Sequence, residues 1–263
     1  MAFLLVLRKE LRDRALLVAV SSALLICLCV MTGWLYAPMA DQFVALREVL
    51  PVVLLALLPG GDMTSAAGWV NAQVLTLTAP GTLIVVGVVA ALRGTAGEEE
   101  RGTLALLLGT GVGRVSFAAA KGAAMVVQVA MTGIVLAGGL LGVNAAWDLG
   151  LTARSLVVAC VFAVALAWFF GTLTLSLALA TGRARTSAMS AAAAVAVSFL
   201  VATFFPLSDS LRNYDQWSPW FYYSATDLLG GGALGPYYFT LIVLSLTFFI
   251  PALWVFLNRD LKM

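Results

Sequence analysis

Six long stretches of this sequence contain no charged residue, and they constrain the fold more than any other feature. A helix needs about 20 apolar residues to cross about 30 Å of hydrocarbon, and a charge at mid-span costs about 2.5–3.5 kcal/mol. The chain is 62% hydrophobic and 11% charged, whereas soluble domains average about 25% charged residues. The sequence therefore predicts an all-α membrane protein. The stretches are residues 15–40, 63–92, 122–147, 155–182, 186–208 and 228–258.

We predict one transmembrane domain over residues 1–263, with six helices at about 15–37, 72–92, 120–143, 155–180, 186–205 and 237–257. A further apolar run at 49–58 is too short to cross and contains Pro51, so it is interpreted as an extracytoplasmic or interfacial helix. Pro80 and Pro251 lie within the second and sixth spans, where proline kinks a helix.

Basic residues set the expected orientation. With a cytoplasmic N-terminus, twelve of the 15 lysines and arginines fall on the cytoplasmic side, leaving Arg47, Arg154 and Arg212 outside. This bias predicts that both termini are cytoplasmic. The twelve are Arg8, Lys9, Arg12, Arg14, Arg93, Arg101, Arg114, Lys121, Arg183, Arg185, Arg259 and Lys262.

Residues 3–14 combine apolar positions at helical spacing with several bases. Phe3, Leu4, Leu7 and Leu11 fit one face of a helix that lies on the inner leaflet before the first span. The alternative is a plain basic anchor preceding the span. We predict the interfacial helix because of the spacing.

The loop at 97–114 is the most informative segment outside the spans. Three glutamates precede a leucine run, which predicts a helix over 98–108 that ends at Gly109. That helix would expose Leu104, Leu107 and Leu108, and an exposed apolar face favours burial against a partner protein or the headgroup layer. A solvated charge run followed by interfacial leucines fits the residues equally well.

The sequence of this loop, GEEERGTLALLLGTGVGR, resembles the Gly-Glu-Glu-x-x-Gly-Thr-Leu-x-x-Leu-Leu…Arg block of the ABC-2 type permease family. Its members are the membrane subunits of bacterial ABC transporters. The resemblance covers essentially the whole chain. Other matching segments are residues 8–13, 57–62 with 68–71, and 218–223 with 227–229 and Gly232.

The resemblance implies a type V exporter-like fold: a six-helix permease with an N-terminal interfacial helix, a cytoplasmic coupling helix and short extracytoplasmic helices. It implies a dimer with a second copy or a paralogue, surrounded by lipid in the cytoplasmic membrane of a prokaryote. Two copies of a separate cytoplasmic ABC ATPase would carry ATP and magnesium. The chain itself would bind no cofactor, and it lacks a G-x-x-x-x-G-K-[ST] phosphate loop.

By the same resemblance, the coupling loop would contact the ATPase. The expected coupling residues are Glu98, Glu99, Glu100, Arg101, Gly102, Thr103, Leu104, Leu107 and Leu108. The turn at 181–186 is a second, weaker candidate, and its arginines equally fit the orientation rule. The aromatic-rich segment 209–235 would form short re-entrant helices on the outer side, or an ordinary aromatic belt.

Polar residues within the spans are candidates for lining a pathway: Gln128, Gln73, Thr76, Ser198 and Thr203. The sequence contains no histidine, and the charge-free spans hold no acid–base pair, so an intramembrane enzyme is disfavoured. A secondary transporter is disfavoured because such carriers use intramembrane charges. A non-transporting membrane anchor for an ATPase remains an alternative. No nucleic-acid partner is expected.

Overall fold

The computed structural model describes residues 2–49, 63–100, 102–104, 109, 113–223, 229 and 236–258. These residues are predominantly helical and include no strand. The α-helices are α1 (Ala2–Asp13), α2 (Ala15–Val49), α3 (Ala66–Val70), α4 (Thr78–Gly94), α5 (Ala96–Glu100), α6 (Arg114–Ala146), α7 (Ala153–Thr181), α8 (Ala184–Phe204) and α9 (Pro236–Asn258).

Six helical segments in the described ranges are long and apolar enough to cross a membrane, which confirms the prediction of a helical protein with six segments of spanning length. The segment Ala66–Glu100 contains α3, α4 and α5, and the segment Ala184–Leu207 extends α8 by three residues. The segments are Ala15–Met39, Ala66–Glu100, Arg114–Ala146, Ala153–Thr181, Ala184–Leu207 and Phe239–Asn258.

Two helices extend past their predicted limits. α2 continues through Pro38 to Val49, and most of the interfacial segment predicted at 49–58 lies outside the described residues. α6 begins at Arg114, so Lys121 lies two turns inside a helix of spanning length rather than at its edge. Lys121 therefore belongs to α6 itself, although it precedes the charge-free stretch 122–147 from which this span was predicted.

The second spanning segment is distorted before Pro80 rather than at it. A π-helical turn, Asn71–Leu75, follows α3, and Leu77 has a non-helical φ of −139° before α4 begins. Pro80 has no N–H to donate to the carbonyl four residues earlier, and its ring crowds that carbonyl. The helix is therefore interrupted one turn upstream of the proline.

α7 forms the centre of the bundle. It packs against α4, α6, α8 and α9, and most of its residues are buried. The core along it includes Phe162, Leu166 and Phe170. α8 lies at the periphery, where only Ser187 and Ala191 are buried.

The N-terminal helix and the end of the last helix meet at the same end of the bundle. Val6 of α1, Phe117 of α6 and Phe256 of α9 belong to one apolar cluster. Arg114 donates from Nη1 to the carbonyl of Leu257 at 3.0 Å, which satisfies an open carbonyl at the C-terminus of α9. We call this the charged end, because the buried charged residues described below lie here.

Candidate coupling site at the charged end

Five charged side chains are buried at the charged end, and ion pairs join four of them; the fifth is Glu99. Glu10, Arg14, Glu98 and Lys121 are 1%, 7%, 7% and 3% exposed. They come from α1, the turn after it, α5 and α6. Charged residues are almost never buried to this extent unless they are paired, so these four form a structural unit, here called the ion-pair cluster.

Lys121 joins the two carboxylates of the ion-pair cluster. Its Nζ donates to Glu98 Oε2 at 2.8 Å and is also paired with Glu10. Glu10 pairs in turn with Arg14, one helical turn further along. The half-exposed Lys9 lies 3.4 Å from Glu98 Oε1 at the rim. These contacts connect α1, α5 and α6 directly.

Helical spacing puts Glu10 and Arg14 on the same side of the N-terminal segment. Val6, Glu10 and Arg14 recur every four residues, so they lie along one side and pack on α6. Of the predicted apolar face, Leu4 is exposed and Phe3 packs against the apolar cluster, and the interfacial position of α1 stays a prediction. The buried polar stripe is a second face that the apolar pattern did not reveal.

Gly94 and Gln128 complete the surroundings of the ion-pair cluster. A Cβ atom on Gly94 would lie 3.2 Å from both Arg14 Nη2 and Lys121 Cδ, so a larger residue here would displace them. Gln128 Nε2 donates to the carbonyl of Glu10 at 3.1 Å. That carbonyl lies in the last turn of α1, where carbonyl groups have no backbone N–H partner within the helix.

The acidic segment, residues 96–104, folds differently from the predicted single helix over 98–108. α4 ends at Gly94 with Thr95 as its C-cap, and the glutamates occupy the short helix α5. Gly102 has a φ of +72°, a left-handed conformation that ends α5 and is open to glycine without strain. A turn therefore separates the glutamates from Leu104.

Glu100 connects the acidic segment to the next loop at this end. Its Oε1 accepts the backbone N–H of Ala184 at 2.8 Å. Ala184 is the first residue of α8, and Arg183 before it provides no side-chain cap. A carboxylate at a helix N-terminus satisfies an open donor and interacts favourably with the helix dipole. The two loops proposed from the sequence as contact candidates thus touch each other.

The predicted coupling residues are not all on the surface. Glu100, Gly102 and Thr103 are exposed, and the Thr103 hydroxyl donates to the Glu98 carbonyl at 3.1 Å. Glu98 and Glu99 are buried. Leu104 is 3% exposed and packs in the apolar cluster with Phe117, so the expectation that it is exposed is wrong. Arg101, Leu107 and Leu108 lie outside the described residues.

Sequence reasoning missed Glu10, Arg14 and Lys121 as members of this site. The i, i+4 spacing of Glu10 and Arg14 was a usable signal for a pair on one helix face. Nothing in the linear sequence indicates that Lys121, 111 residues further on, would reach Glu10.

The candidate pathway residues do not form a single polar surface. The Gln128 amide donates to the Glu10 carbonyl of α1 at the charged end. The Thr76 hydroxyl donates to the Asn71 carbonyl at 2.9 Å, and the Ser198 hydroxyl donates to the Val195 carbonyl at 3.0 Å. Gln73 and Thr203 are exposed. The prediction that these residues line a pathway stays a prediction.

At the opposite end of the bundle, the aromatic segment divides into buried and exposed members. Trp220 and Tyr223 are buried in the main core, whereas Tyr214 and Trp217 are exposed. The Tyr223 hydroxyl donates to the Leu75 carbonyl at 2.6 Å, within the distorted part of the second span. Burial raises the pKa of Tyr223 well above its ordinary value, so the phenol keeps this proton at neutral pH.

No group of three or more histidine, cysteine or carboxylate side chains suited to a metal ion occurs among the described residues.

Comparison of the chain with protein-family models, curated proteins and solved structures gives no match.

Proposed function

We propose that this chain is the membrane subunit of an ATP-driven exporter, with a separate cytoplasmic ATPase as its partner. The proposal rests on the resemblance of residues 97–114 to the ABC-2 type permease family and on the six spanning helices. In this proposal two copies of the chain, or one copy and a related permease, enclose the pathway. Two ATPase subunits bind ATP and magnesium and supply the energy.

The observation that supports the proposal best is the contact between the acidic segment and the start of α8. Glu100 bonded to Ala184 brings the loops after the second and fourth spans together. A single partner at the charged end could contact both loops at once. The exposed Glu100, Gly102 and Thr103 then belong to the contact surface, and Leu107 and Leu108 are its proposed apolar anchors.

Under this proposal the ion-pair cluster has a mechanical role. Glu98 on α5 is bonded to Lys121 on α6, and Lys121 is paired with Glu10 on α1. A displacement of the acidic segment by the ATPase would therefore move α1 and α6 with it. Buried charges resist separation because an unpaired ion in a dry environment is costly, so the connection is stiff.

Purification of the tagged full-length chain from its native membranes tests the proposal. We expect an ATPase that contains a phosphate loop to co-purify, and Leu107→Asp to abolish its retention, because a buried anchor is worth about 2 kcal/mol or more. Mass spectrometry of the eluate and its ATP hydrolysis rate measure the outcome.

Leu207→Asp is the matched control, since Leu207 is 63% exposed at the opposite end of the bundle. It is expected to leave retention of the ATPase unchanged. The proposal fails if the unmodified chain retains no ATPase, or if Leu107→Asp retains as much of it as Leu207→Asp does.

A further inference from the structure

A cavity of about 410 Å³ lies between three spanning helices, α6, α7 and α9. Ligand pockets in proteins have volumes of about 300–1,000 Å³, so the cavity is large enough for a bound molecule. Val126 and Leu246 on its wall are 38% and 51% exposed, whereas Met125 and Leu175 at its back are buried. The cavity is therefore a cleft that opens sideways, toward the lipid of a membrane.

The depth of the cleft corresponds to one leaflet. Its lining extends from Ala165 to Leu175 on α7, a length of about 15 Å at 1.5 Å per residue. The hydrocarbon core of a bilayer is about 30 Å thick. The lining on α6 includes Gly122, which directly follows the buried Lys121, so the cleft begins near the charged end, and its length is about half of the hydrocarbon thickness.

The wall of the cleft is almost entirely apolar. The Trp168 indole N–H donates to the Val126 carbonyl at 3.3 Å, and the Ser245 hydroxyl donates to the Leu241 carbonyl at 2.8 Å. These two polar groups are bonded to the protein's own backbone, and Thr172 is the remaining polar residue of an otherwise apolar lining. A hydrocarbon chain matches such a wall, and water does not.

The charge around the charged end indicates which lipid supplies that chain. Exposed bases outnumber exposed acids in the described residues at this end, where Asp13 and Glu100 are the exposed acids. Basic residues beside a helix bundle attract anionic headgroups. The exposed bases are Arg8, Lys9, Arg12, Arg93, Arg183 and Arg185.

We infer that this cleft holds one acyl chain of an anionic phospholipid from the leaflet at the charged end. The chain lies along α7 against Trp168, and the headgroup lies at the level of the exposed bases. This site does not depend on the proposed transport function, because any apolar cleft open to a bilayer exchanges occupants with it.

The first experiment is native mass spectrometry of the purified full-length chain in a mild detergent, titrated with phosphatidylglycerol or with phosphatidylcholine of the same chains. We expect one phosphatidylglycerol bound per chain, at least tenfold tighter than phosphatidylcholine. Ala123→Phe fills the cleft and should weaken this binding at least tenfold. Ala145→Phe places the same ring on an exposed position of the same helix, outside the cleft, and should bind as the unmodified chain does.

A second measurement does not depend on how Ala123→Phe folds. Phosphatidylglycerol with a brominated acyl chain quenches tryptophan fluorescence on contact, and Trp168 lines the cleft. We expect saturable quenching in the unmodified chain, and we expect Trp168→Phe to remove that saturable part.

Three results would overturn the inference. They are equal binding of the two lipids, unchanged phosphatidylglycerol binding in a folded Ala123→Phe variant, and quenching that Trp168→Phe does not alter. If Ala123→Phe instead separates a dimer while lipid binding is unchanged, the cleft is an interface between copies of the chain, and the lipid site is wrong.

Discussion

Lys121 shows how one residue can connect distant parts of the chain. Its side chain is 2% exposed and contacts carboxylates 111 and 23 residues away. Such an ammonium is stable only because both carboxylates compensate for the loss of water. The sequence shows a lysine at the edge of an apolar stretch, and this position alone is typical of an ordinary orientation signal.

At the residue scale, we predict that Lys121→Met destabilises the protein strongly. Removing one partner of a buried ion pair leaves uncompensated charge and costs about 3–5 kcal/mol. Lys9→Met is the matched control, because Lys9 is 47% exposed and a surface pair contributes about 0–1 kcal/mol.

Unfolding in detergent, followed by circular dichroism, measures both Lys→Met variants. Adding Glu98→Gln to Lys121→Met should recover part of the stability, because one unpaired carboxylate becomes neutral. Equal unfolding midpoints for Lys9→Met and Lys121→Met would contradict the buried ion-pair cluster.

At the scale of elements, α4 and α7 approach each other closely at a pair of glycines. A Cβ atom on Gly87 would lie 3.1 Å from the Ala167 carbonyl oxygen and 3.4 Å from Gly171 Cα. Small residues at a crossing allow membrane helices to pack closely. Backbone atoms cannot move aside as a flexible side chain can, so this contact sets the separation of the two helices.

We therefore predict that Gly87→Val destabilises the bundle by about 1–3 kcal/mol, the usual cost of overpacking. Gly81→Val on the same helix is the control, since nothing lies within 4 Å of its Cβ position. Thermal unfolding of both variants in detergent measures the difference. Similar melting temperatures for the two would show that α4 and α7 do not pack through these glycines.

The acidic segment shows a secondary structure that the local sequence does not predict. Three glutamates followed by leucines form a plausible helix in sequence, but Gly102 introduces a left-handed turn between them. Glycine is compatible with either structure, so the local sequence does not decide. The contacts of Glu98 with Lys121 and of Glu100 with Ala184 are made with other parts of the chain.

At the scale of the whole molecule, the bundle has two dissimilar ends. One contains the ion-pair cluster and the exposed bases, and the other contains the aromatic segment with Trp220 and Tyr223. The orientation predicted from the distribution of basic residues along the sequence places the charged end in the cytoplasm.

Cysteine labelling in intact cells tests the orientation. Trp217 is 81% exposed at the aromatic end, so Trp217→Cys should react with a membrane-impermeant maleimide. Arg183→Cys, at the charged end, should react only after permeabilisation. The native Cys29 and Cys160 are buried but Cys27 is exposed, so both variants are made with Cys27→Ser, and Cys27→Ser alone gives the background. Labelling of Arg183→Cys but not Trp217→Cys in intact cells would reverse the orientation.

The six apolar helices are predictable from the sequence alone, because each span must satisfy its own backbone and exclude charge over about 20 residues. These are local requirements, and they are visible in any window of the chain. Only the tertiary structure decided that Glu10, Arg14, Glu98 and Lys121 share one buried cluster, that Leu104 faces inward, and that three spans leave a cleft open to lipid. Those features depend on which helices are neighbours. The apolar face of a membrane helix can pack against lipid or against any other apolar helix, so its sequence does not identify the neighbouring helix.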